Sequence, residues 1–73
     1  MRSDWEIRFE ICDRLVMSPD IDPEKVYVSV RDGTVRLSGL VVSRHAHDVA
    51  VRIALSVHGV RDIVDQLSDV TGQ

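Results

Sequence analysis

The sequence predicts an α+β fold with element order α-β-β-α-β, two helices packed on one face of a three-stranded sheet. Three observations lead there. An apolar stripe behind a capping residue opens the chain, two alternating runs meet at Asp32-Gly33, and a second capped stripe precedes a last extended segment. At 73 residues there is room for one hydrophobic core, so residues 1–73 are read as one domain with its core at about 4–68. A chain of this size buries only roughly 60% of its unfolded surface.

The first element has two competing patterns. In "SDWEIRFEIC", Trp5, Ile7, Phe9 and Ile11 alternate with charged residues as in a half-buried strand. The same stretch carries Ser3-x-x-Glu6, a capping box, with Ile7, Ile11 and Leu15 at helical spacing. The apolar positions continue through Cys12, Leu15 and Val16, where alternation fails, so a helix over residues 4 to 16 is expected. "SPDIDP" ends it, because the residue before each proline is pushed out of helical geometry. At about 100° per residue, Trp5, Phe9, Cys12 and Val16 form a second stripe about 120° from the first.

"KVYVSV-RDGT-VRLSG" reads as a hairpin, since Asp-Gly suits a two-residue type I′ turn. If Arg31 pairs with Thr34, then Val30 faces Val35, Val28 faces Leu37 and Val26 faces Gly39, which makes one face wholly apolar. The other face carries Tyr27, Ser29, Arg31, Arg36 and Ser38.

Ser43 is placed to cap a second helix, "RHAHDVAVRIALSVH", whose small core-facing stripe is Ala46, Val49, Ala50, Ile53, Ala54 and Val57. Gly59 is expected as its left-handed C′ residue. An extended segment follows at about Asp62 to Ser68, whose imperfect alternation leaves its facing open, and "DVTGQ" is read as a frayed tail. The second helix then serves as the crossover into the last strand.

Composition narrows the function classes. Apolar residues at 44% and charged residues at 29% fit a folded globular domain. A formal net charge of −3 argues against general affinity for nucleic acid or anionic membranes. Cys12 is the only cysteine and cannot form an internal disulfide. No run approaches the ~20 apolar residues of a membrane span, and acidic residues interrupt the N-terminus where a secretory signal needs an apolar run. A cytoplasmic location is expected if the chain is complete, and a periplasmic or envelope one if it is an excerpt of a longer protein.

Chemistry-bearing residues are sparse. His45 and His47 point to different sides of the second helix, and His58 lies about 16 Å further along the axis at ~1.5 Å per residue. No CxxC or HxxxH spacing occurs, so no metal or cofactor is expected and the histidines read as surface residues. Cys12 has no histidine at helical spacing to activate it. Asp4, Glu6, Glu10 and Asp13 read as a solvated helix face. No phosphate-loop pattern surrounds the glycines, which serve a turn, a close approach and a helix stop.

Three surfaces remain as candidates for binding. Trp5, Phe9, Cys12 and Val16 form the main apolar patch, and Val51 with Leu55 on the back of the second helix a secondary one. Arg31 and Arg36, beside Tyr27, are the candidate contacts for an anion or headgroup. RNA-reading sheets present two or three aromatics where this face has one, so a nucleic-acid partner is not expected.

The run "VYVSVRDGTVRLSGLVVS", followed by "AVRIALSVHGVRDIVDQL", is similar to the BON domain, named for bacterial osmotically regulated and nodulation proteins. The resemblance rests on Val28, Val30, Asp32-Gly33, Val35, Leu37, Gly39, Val41 and Ser43. It continues at Ala50, Ile53, Ala54, Val57, Gly59-Val60, Ile63, Asp65 and Leu67, with Ile7, Ile11 and Leu15 in the first helix. It implies an α-β-β-α-β fold and a non-catalytic binding module, in a family associated with phospholipid interaction, envelope integrity and osmotic stress response. Family members are often exported, sometimes in tandem, whereas "EIRFEI" and "GLVVS" resemble BON domains behind regulatory CBS pairs in cytoplasmic proteins. The expected role is therefore an accessory domain whose partner is a protein, a neighbouring domain or a second copy. Binding to a phospholipid surface is the alternative.

Overall fold

In a computed structural model that describes residues 2–70, five elements follow in the expected order. They are α1 (Asp4–Met17), β1 (Val26–Arg31), β2 (Thr34–Val41), α2 (Arg44–Ser56) and β3 (Asp62–Asp69). The sheet order is β1-β2-β3, with β1 antiparallel and β3 parallel to the central β2. A parallel neighbour is what the α2 crossover requires.

The hairpin has the register that its turn dictates. Val30 pairs with Val35, Val28 with Leu37 and Val26 with Gly39. Asp32 and Gly33 both have positive φ, 52° and 81°, as a type I′ turn needs. Gly39 is the tighter position. A Cβ there would lie 2.0 Å from the Lys25 carbonyl oxygen, so only glycine lets the strands approach so closely.

Both helices lie over the apolar face of the hairpin. Ile7, Ile11 and Leu15 of α1 and Ala46, Ala50 and Ala54 of α2 bury against Val26, Val28, Val35, Leu37 and Val41, with Ile21 and Val57 closing the ends. Fully burying each of the larger aliphatic side chains contributes roughly 1.5–3 kcal/mol. The alanines on α2 bring that helix close to the sheet.

The facing of β3 is settled by its register. Ile63, Asp65 and Leu67 pair with Val35, Leu37 and Gly39 and so share the helix-facing side. The alternation is imperfect because Asp65 occupies a core-side position, where α2 supplies a partner for it.

Two expectations are corrected. Gly59 is not the C′ residue of α2. The helix ends at Ser56, and Val57 leaves it in extended geometry to bury its side chain in the core. Gly59, at φ 99°, instead serves a turn closed by the Val60 N–H on the Val57 carbonyl at 3.3 Å. The tail also begins later than expected. Asp69 still pairs with Val41, and the Val70 N–H donates to the Val41 carbonyl at 3.1 Å. The rest of the expected frayed tail, residues 71–73, lies outside the described residues.

Candidate interaction surface

The main apolar patch sits on α1, and the local sequence explains how that helix is held. Its N-terminus is closed by the capping box. The Ser3 hydroxyl accepts the Glu6 N–H at 3.4 Å, and the Ser3 N–H donates to the Glu6 carboxylate at 3.0 Å. In the first turn the Asp4 carboxylate accepts the N–H groups of Asp32 and Gly33, at 2.9 and 3.1 Å. The tip of the hairpin is thereby pinned to the helix.

Two sides of α1 are tied to neighbours. On one, Arg8 Nε donates to the Val28 carbonyl at 2.9 Å. In a two-residue hairpin that pairs Arg31 with Thr34, the backbone of Val28 turns away from β2. Arg8 therefore occupies an acceptor on the free edge of β1, where another strand could otherwise add. On the other side, Glu10 is bridged by Arg2 and Arg14, and Arg14 Nη1 donates to the Ser56 hydroxyl at 3.0 Å. With Ile7, Ile11 and Leu15 turned inward, only the outer face is left.

That outer face holds Trp5 and Phe9, 70% and 66% exposed, and Val16, also exposed. Cys12 departs from the expected patch. It is half-buried and packs against the core, because it lies on the side of α1 that turns toward β1. Met17, at the last helical position, is exposed as well and was not anticipated. Its signal in the sequence was only an apolar residue outside the stripe at the helix end.

The secondary patch does not hold together. Leu55 is exposed, but Val51 is half-buried against the core. The reason is the roll of α2 toward β3, shown one turn earlier by His47, which reaches the Asp65 carboxylate. Val51 follows His47 by four residues and rolls in with it.

Arg31 and Arg36 are brought together on the open face of the sheet. They line one shallow depression with Ser29, Thr34 and Asp32. The face is solvated, and it lies on the side of the sheet opposite both helices.

The histidines are dispersed. His45 lies 3.7 Å from Asp20, His47 sits between Asp48 and Asp65, and His58 is exposed. Among the described residues no group of three or more His, Cys, Asp and Glu could hold a metal ion. The expectation that His47 is an ordinary surface histidine is corrected. Asp48 and then Asp65, by hydrogen bonding to the ring, raise its pKa above the ordinary 6.5, against a smaller opposing effect of burial. Sequence spacing offered no sign of this pairing, since the residues are 18 apart.

The family model for the BON domain matches residues 3–68, nearly the whole chain. The chain belongs to the BON domain family. No curated protein matches it. BON domains are non-catalytic binding modules, and the match reaches every element of this one, from Ser3, which caps α1, to Ser68 in β3. In this BON domain, no helix among the described residues is long and apolar enough to cross a membrane.

Proposed function

We propose that this chain is a non-catalytic protein-interaction module, an accessory domain of a larger cytoplasmic or regulatory polypeptide, acting through the outer face of α1. The observation that carries the reading is the exposure of Trp5 and Phe9 on a helix whose other sides are committed. The chain has only three aromatic residues. Placing two of them in water forgoes roughly 1.5–3 kcal/mol for each side chain that a partner could bury. A neighbouring domain or partner protein recovers that free energy.

A phospholipid surface is the second reading, and Arg31 with Arg36 in one depression favours it. Geometry opposes it. The arginines lie on the opposite side of the molecule from Trp5 and Phe9, so one flat bilayer cannot engage both. Asp32 also lies in the same depression as the two arginines.

The test is site-specific photo-crosslinking in the intact polypeptide, with a benzophenone amino acid at position 9 or at position 27. Protein crosslinks from position 9 and few from position 27 are the expected result. Crosslinks to lipid, or none from position 9, would overturn the reading.

A further inference from the structure

The rim of the α1 face is acidic on one side, and on the other its cation, Arg8, is engaged through Nε with the edge of the sheet. Arg2, Trp5, Glu6, Phe9, Glu10 and Asp13 line one shallow groove along the helix. Glu10 is neutralised there by Arg2 and Arg14. Glu6 keeps its charge, because the hydrogen bonds from the Ser3 backbone and hydroxyl hold its carboxyl below the ordinary carboxylate range. Asp13 is exposed and forms no ion pair among the described residues. The flank nearer β1 holds Arg8, whose guanidinium is drawn onto the Val28 carbonyl.

We infer that this groove takes a cationic amphipathic segment of another protein, whose Lys or Arg side chains meet Glu6 and Asp13 while its apolar side chains cover Trp5 and Phe9. The inference rests on the interaction reading above and specifies the chemistry of the partner. A second copy of the chain fits poorly. Two-fold antiparallel pairing of α1 with its mate sets each flank against its own copy, so Glu6 and Asp13 would meet Glu6 and Asp13. Parallel pairing would set those carboxylates against Arg8, whose Nε already serves the Val28 carbonyl. An anionic bilayer would press its headgroups onto the same two carboxylates.

Trp5 is the only tryptophan, so its fluorescence reports on the groove directly. The probes are a synthetic 14-residue amphipathic peptide of Leu and Lys and its twin with Glu in place of Lys. A blue shift of Trp5 emission with the Lys peptide and none with the Glu peptide is the expected result. Asp13→Asn should weaken binding about two- to five-fold, the range for one exposed ion pair. Asp62→Asn makes the same change in net charge on the far face of the sheet and should leave affinity unchanged.

Equal shifts with both peptides would overturn the cationic partner while leaving the α1 face as a docking surface. Equal weakening by Asp62→Asn and Asp13→Asn would overturn it too, because binding would then follow net charge and not the groove. A blue shift with phosphatidylglycerol vesicles would assign the groove to lipid. No response to either peptide, together with no crosslinks from position 9, would remove the interaction reading as well.

Discussion

The imidazole Nε2 of His47 on α2 meets the Asp65 carboxylate on β3, tying a helix to the outer strand of the sheet. The other ring nitrogen, Nδ1, lies 2.9 Å from the Asp48 carboxylate. Asp65 uses its second oxygen to accept the Leu67 N–H at 3.1 Å, a backbone group turned away from β2. One side chain thus holds the helix and blunts the free edge of β3.

This arrangement makes stability depend on pH. The folded-state pKa of His47 is raised above the ordinary 6.5, so the folded state binds the proton more tightly than the unfolded state. The stabilisation is fully present below about 6.5 and is lost as pH rises through the folded pKa. The melting temperature of the native chain should therefore exceed that of His47→Gln most at pH 5 to 6, with the gap narrowing above neutrality. Proton NMR titration of the His47 ring should place its midpoint above 6.5. A midpoint at or below that value would exclude the charge-assisted contact.

Gly39 should be the least replaceable glycine of the hairpin. Its φ is 109°, and a Cβ would strike the Lys25 carbonyl, which is backbone and cannot swing away. Gly39→Ala is expected to cost about 3 kcal/mol or more, from strained dihedrals and overpacking together. At Gly33 the obstacle is the flexible stem of Arg61, so Gly33→Val should cost less, roughly 1 kcal/mol or more from the positive φ. Chemical denaturation of the two variants gives the order, and the reverse order would contradict the close approach of β1 and β2.

Ile11 and the aromatic pair should separate folding from docking. Ile11 is fully buried, so Ile11→Ala is expected to lose about 2–5 kcal/mol through the cavity it leaves. Trp5→Ala with Phe9→Ala removes exposed side chains and should shift the melting midpoint little. If the double variant unfolds as readily as Ile11→Ala, both aromatics belong to the core.

Asp4 should behave as a clamp on the hairpin. Asp4→Ala removes the acceptor for the N–H groups of Asp32 and Gly33 and should cost about 1–2 kcal/mol at this half-buried site. Hydrogen exchange should quicken at those two amides before it does at Leu37, in the centre of β2. Unchanged protection at Asp32 and Gly33 would show that the turn holds itself.

Much of this architecture was legible in the residues alone, because it rests on short-range rules. The Ser3-x-x-Glu6 capping box, the Ile7–Ile11–Leu15 stripe and the hairpin register set by Asp32-Gly33 each depend on residues within a few positions of one another. So did the exposure of Trp5, Phe9 and Val16, which lie off that stripe. What the tertiary structure alone decided involves partners distant in the chain. Asp65 reads as a break in the β3 pattern until α2 brings His47 across to it, and Val51 reads as surface until the same roll covers it. Cys12 turns inward for a similar reason, because α1 leans on β1 through Arg8. Gly59 moved from helix stop to turn because burying Val57 outweighed extending α2 by another residue. Local patterns specify which elements form and which face is apolar. How far each helix rolls on the sheet is set by packing volume and by polar partners that no spacing in the sequence records.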